Sequence, residues 1–66
     1  MNVIVNGSPH TLAPDANLAD LLNAMSLTGK RIAVECNGEI VPRSRHASHT
    51  LVEGDRLEIV VAVGGG

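Results

Sequence analysis

Only one stretch of this chain repeats its apolar residues at helical spacing. Leu18, Leu21, Leu22 and Met25 stand at i, i+3, i+4 and i+7, which places all four on one face of a helix. Asn17 precedes them as a good N-cap, and Asp20 falls at the third helical position, where a carboxylate favours the positive end of the helix dipole. Gly29 is expected to end the segment in a left-handed conformation, with Lys30 and Arg31 just beyond its negative end. A helix with a single apolar face must bury it against another layer.

The flanking segments read as that layer. Val3-Ile4-Val5 is a β-branched run closed by Asn6-Gly7, a strong two-residue hairpin signal. Pro9 can open the following strand, His10 to Ala13, because the first residue needs no ladder donor. Pro14-Asp15-Ala16-Asn17 breaks the pattern before the helix. Beyond it, Ile32-Ala33-Val34-Glu35-Cys36 puts Ile32, Val34 and Cys36 on one strand face, and Asn37-Gly38 turns into Glu39-Ile40-Val41, which Pro42 stops. Arg43 to Val52 reads as a loop with one short helical turn and a brief strand near Leu51; Glu53-Gly54-Asp55 is a turn, and Leu57 to Val61 is the last strand. The order strand, strand, helix, strand, strand, strand predicts an α+β domain, with a mixed sheet of about five strands packed on one main helix.

Size narrows what such a domain can do. The chain has 66 residues, and a chain of this length buries only about 60% of its unfolded surface. A ligand pocket of ~300–1,000 Å³ would consume the core, so work at a surface or a terminus is expected. Net charge is −2, the five Lys and Arg are scattered, and no aromatic is present. That combination argues against nucleic-acid binding, which uses clustered cations and stacking rings. A single cysteine excludes an internal disulfide framework and suits a reducing cytoplasm. No basic region precedes an apolar stretch near Met1, and no apolar run approaches the ~20 residues of a membrane span. The expectation is a cytoplasmic, monomeric protein.

The end of the sequence is its least ordinary part. Val63 is followed by Gly64, Gly65 and Gly66, so residues 1–63 read as the folded domain and 64–66 as a flexible tail. Glycine lets a chain lie in a tight channel, and three extended residues reach at most ~10–11 Å. That is enough to carry a carboxylate from the domain surface into a neighbouring active site. A frayed terminus is the plain alternative.

Taken together, the Leu21-Leu22 helix, Val34-Glu35-Cys36-Asn37 leading into Glu39-Ile40-Val41-Pro42-Arg43, the Gly54-Asp55 turn and the final Gly65-Gly66 resemble the sulfur carrier proteins of thiamine biosynthesis, the ThiS family. Their fold is the ubiquitin-like β-grasp. The resemblance covers essentially the whole chain; Cys36 departs from it, since the family more often carries an aliphatic residue there. It implies a carrier and not an enzyme, with no bound cofactor. A ubiquitin-activating-type adenylyltransferase would use ATP to convert the Gly66 carboxylate to an acyl-adenylate, releasing pyrophosphate. A persulfide from a cysteine desulfurase or another sulfur donor would then displace AMP, and the resulting thiocarboxylate would give its sulfur to thiazole synthase. Gly64 and Gly65 would thread the tail. A ubiquitin-like modifier of lysines, a molybdopterin-type sulfur carrier and an interaction module with an idle tail are the other readings.

Other residues are weaker candidates. Cys36 alternates with Ile32 and Val34 and so belongs to a buried face, where a thiol is inert. His46 and His49 are three apart, but a metal site needs more ligands and only His10 remains, so both are expected in a surface loop. Arg43 and Arg45 either meet an acidic partner or belong to a solvated loop. Val60 and Ala62 alternate out of phase with Leu57 and Ile59, and so would form an exposed apolar strip where a partner docks beside the tail.

Overall fold

The computed structural model describes residues 1–62. Its elements are β1 (Asn2–Val5), β2 (Ser8–Thr11), α1 (Leu18–Ala24), β3 (Ile32–Cys36), β4 (Glu39–Ile40), a 3-10 turn (Arg43–Arg45) and β5 (Arg56–Val61). The strands form one mixed sheet in the order β2-β1-β5-β3-β4. The parallel pair joins β1 to β5, so the first and last strands are neighbours in the middle of the sheet. This is the β-grasp arrangement, one helix across one face of a five-stranded sheet.

Both hairpins follow from their turn residues. Asn6 and Gly7 have φ of 50° and 83°, and Asn37 and Gly38 have 52° and 87°; positive φ at both central positions is the turn whose twist matches paired strands. Asn6 also extends the sheet with its side chain. Its Nδ2 donates to the Ile59 carbonyl (3.0 Å), and its Oδ1 accepts from the Ile59 N–H (2.8 Å), continuing the β1–β5 ladder after the backbone has turned away.

The second strand begins earlier than the sequence suggests: it spans Ser8–Thr11, with Pro9 inside it and opposite Ile4. Met1 and Leu12 exchange backbone hydrogen bonds of 3.0 and 2.8 Å. Alternation along the ladder therefore makes Ile4–Pro9 a non-hydrogen-bonded pair. β2 is also an edge strand, so the missing N–H of Pro9 costs nothing there.

Helix α1 starts as its sequence predicts and stops sooner. Asn17 and Asp20 form a reciprocal capping box: the Asp20 N–H donates to Asn17 Oδ1 (2.8 Å), and the Asn17 N–H donates to Asp20 Oδ2 (2.9 Å). The next two free donors, Leu18 and Ala19, donate to the carbonyls of His49 (2.9 Å) and His46 (3.0 Å), so the helix start is fully paired. At the other end Ser26, with φ of 59°, takes the left-handed position that closes the helix; Gly29 is left-handed as expected, with φ of 83°, but lies three residues beyond that position. Ser26 N–H bonds Asn23 O (3.0 Å) and Leu27 N–H bonds Leu22 O (2.8 Å), the pattern of a Schellman cap. Met25 becomes the C-cap, half-buried against the core, and Gly29 belongs to the loop that follows.

The core joins the inner faces of β1, β3 and β5 to the helix: Val3 and Val5, Val34 and Cys36, Leu57 and Ile59, closed by Leu18, Leu21, Leu22, Val41 and Leu51. No helix among the described residues is long and apolar enough to cross a membrane.

Candidate functional site

β5 carries the chain from the core to its C-terminal glycines. Gly64, Gly65 and Gly66, together with Val63, lie outside the described residues. The root of the tail is well defined: Val61 pairs with Ile32, and the Ala62 N–H donates to the Arg31 carbonyl (2.9 Å). The tail therefore leaves from the end of a central strand that is paired here with β3, its pairing with β1 and the Asn6 side chain having ended by Ile59.

Around that root the outer face of the sheet is apolar. Val60 is 63% exposed and stands opposite Ala33, itself exposed; Ala62 is exposed next along β5. On β4, Ile40 is 77% exposed and lies opposite Glu35. Val60 and Ala62 are thus on the surface, as their alternation predicts, while Leu57 and Ile59 are buried beneath. Ile40 and Ala33 extend the strip. Alternation marks them too, since each is out of phase with the buried residues of its own hairpin. Next to the strip, Glu35 and Glu58 face each other directly across β3 and β5.

The opposite side of the tail root is basic. Lys30 and Arg43 border an open cleft of ≈ 240 Å³ floored by Leu22, Leu27 and Ile32, and Arg43 Nη2 donates to the Lys30 carbonyl (2.8 Å). Arg43 and Arg45 are exposed, in the 3-10 turn.

The histidine expectation needs correction. His46 does not sit in a surface loop: it is 8% exposed, and its Nε2 lies 3.2 Å from the Val41 carbonyl. A carbonyl only accepts, so Nε2 carries the proton. The cause is the loop's second duty, since the backbone carbonyls of His46 and His49 must reach the helix N-terminus, and this draws His46 inward and leaves His49 half-buried. Among the described residues no three His, Cys, Asp or Glu side chains come together as a metal site.

Asp55 is the group that sequence reasoning missed. Beyond the turn it forms, it is 7% exposed and accepts from Asn37 Nδ2 (3.0 Å) and from the Val52 N–H (2.9 Å), tying the second hairpin to the start of β5. Cys36 is buried, as expected for an inward-facing position. Burial first, then the neighbouring Asp55 carboxylate, pushes its thiol pKa up. A thiol that holds its proton more tightly in the native state stabilises the fold below the ordinary thiol range, and that contribution is lost as pH climbs through the raised value. At pH 8 native Cys36 should react with a chromogenic disulfide reagent at least about 100-fold more slowly than in urea, because reaction waits on local opening. Comparable native and unfolded rates would show that the thiol is accessible.

Comparison with known proteins agrees with this architecture. The ThiS family model matches residues 3–66. The crystal structure of the thiamine biosynthesis protein ThiS from Geobacter metallireducens superposes with a TM-score of 0.83 at 36% identity, covering 100% of both chains. Among curated proteins, a thiazole synthase of Paramagnetospirillum magneticum is 36% identical over 66 residues, although the chain spans only 20% of that protein's length. The ycf40 protein of Pyropia yezoensis is 33% identical, and the chain covers 93% of it. With the family model running from β1 to the last glycine and the same fold in a solved relative, the chain belongs to the ThiS family.

Proposed function

We propose that this chain is a sulfur carrier of thiamine biosynthesis and that the carboxylate of Gly66 holds the sulfur. The observation that carries the reading is the family match over residues 3–66, which includes the glycine end. The exposed apolar strip beside the tail root, Val60 and Ala62 with Ala33 and Ile40, supports it as the surface a partner enzyme grips.

In this reading the chain is a co-substrate. A carboxylate oxygen of Gly66 attacks the α-phosphorus of ATP on an adenylating enzyme of the ubiquitin-activating type, and pyrophosphate leaves. A persulfide, supplied by a cysteine desulfurase or another donor, attacks the acyl carbon and expels AMP. A second thiol then breaks the S–S bond, leaving a disulfide on the donor side and a thiocarboxylate on Gly66. Adenylation replaces one difficult displacement with two easier ones. Gly64 and Gly65 offer no side chain to obstruct a narrow channel, and a threaded tail holds the reacting atoms in line. The ATP belongs to the partner; the carrier needs no cofactor of its own. Thiazole synthase is the acceptor we assign, on the ground that proteins of that name from Paramagnetospirillum magneticum and Magnetococcus marinus contain a segment similar to all 66 residues.

The test is intact mass. Incubated with the adenylating enzyme, ATP and a persulfide donor, the protein should gain the mass difference between one sulfur and one oxygen atom, and lose it again to thiazole synthase. Tail-bearing protein that stays unchanged while pyrophosphate is released would sink the sulfur-carrier reading.

A further inference from the structure

The outer face of the sheet is ordered in rows. Along β5 it presents Arg56, Glu58, Val60 and then Ala62; along β3 it presents Ala33 and Glu35, with Ile40 beside Glu35 on β4. Directly opposite residues in a sheet point to the same side. The apolar row Val60–Ala33 is thus bordered by the row Glu58–Glu35, two carboxylates face to face. Among the described residues the carboxylates that accept hydrogen bonds are Asp20, Glu53 and Asp55; neither Glu35 nor Glu58 is among them. Arg56 lies two residues from Glu58 on the same face, on the side away from the apolar row.

Like charges placed directly across a ladder oppose folding, and Val60 and Ile40 at 63% and 77% exposure add nothing to the core. Both features acquire a use if another protein covers them. From Ala62 to Gly66 there are four further residues, a reach of at most ~13–14 Å. An enzyme that takes Gly66 into its active site is therefore held against this end of the sheet. We infer that the Glu35–Glu58 pair is the charge-reading part of the docking surface for the adenylating enzyme. That enzyme would set an Arg or Lys side chain between the two carboxylates and apolar side chains over Val60, Ala33 and Ile40. The inference rests on the proposed carrier function and adds the chemistry of the partner's surface to it. A cation inserted between two carboxylates relieves the repulsion that the free carrier bears, so the pair favours the bound state over the free one.

The signature is a gain in stability joined to a loss in docking. Glu35→Gln and Glu58→Gln should each raise Tm by about 2–4 °C, while raising the KM for the carrier in ATP-dependent pyrophosphate release about tenfold, with kcat unchanged. In 0.5 M salt the wild-type KM should rise toward that of the variants, whose own KM should move little. Asp15→Asn, an equal charge change in the exposed loop before the helix, should leave KM as it is. If wild-type protein is turned over and both glutamine variants keep its KM, the inference is overturned and the carrier function stands. If the adenylating enzyme releases no pyrophosphate with wild-type protein, both readings fall together. A KM effect seen only with thiazole synthase would also overturn the assignment, because the pair would then read a different partner.

Discussion

Leu21→Ala is expected to leave the chain mostly unfolded at 37 °C. Leu21 is fully buried at the centre of the one helical face, beside Leu18 and Leu22 and against the inner side of the sheet. Replacing such a leucine removes its transfer free energy and leaves a cavity, together about 3–5 kcal/mol. A domain of this size has about 3–10 kcal/mol in total. Nothing covalent compensates, because the single cysteine is free. Nor can the helix persist alone, since seven residues are far fewer than the ~12–15 needed in water. Tm should fall by about 15–25 °C. With no Trp, Tyr or Phe in the chain, the melt has to be followed by far-UV circular dichroism. Ile40→Ala, at a position 77% exposed, should stay within about 0.5 kcal/mol of wild type. A Leu21→Ala drop below 5 °C would mean that the helix does not anchor the core.

What the sequence reveals divides by the range of the interaction. Asn6-Gly7 and Asn37-Gly38 announce their hairpins because the demanded φ values belong to those residues themselves. Asn17 and Asp20 announce the helix start because the capping box closes within four residues. The helix end is different. Ser26 bears a left-handed conformation that glycine would adopt more easily, and it does so because the cap brings Leu27 back over Leu22; no local preference of Ser26 signals this. Burial of His46 is equally hidden, since it depends on donors of Leu18 and Ala19 almost thirty residues away in sequence. The same holds for the candidate site. Exposure of Val60 and Ala62 follows from strand alternation alone, and the glycine end stands out by composition. That Glu35 meets Glu58 requires the β3–β5 register, which is set by the packing of Val34 and Ile59 on the far side of the sheet.

The tail should fail in two separable ways. A variant ending at Gly65 presents a carboxylate one residue short, displaced by about 3.3–3.6 Å. Misplacement of a reacting group by only ~1 Å costs about 100-fold in rate, so this variant should acquire no sulfur that intact mass can detect. Removing Gly64 instead keeps Gly65-Gly66 at the end but shortens the reach from Ala62 by the same amount. If the enzyme grips the sheet where Val60 and Ala62 are exposed, that shortening cannot be recovered by sliding the carrier forward, and pyrophosphate release should again fall about 100-fold. Neither deletion removes a side chain, so Tm should hold within about 2 °C, which separates lost reach from lost fold. A Gly64 deletion that keeps the full rate would place the grip elsewhere on the carrier. A variant ending at Gly65 that still gains sulfur, located by peptide mapping at Cys36, would show that the thiol and not the C-terminal carboxylate is the carrier atom.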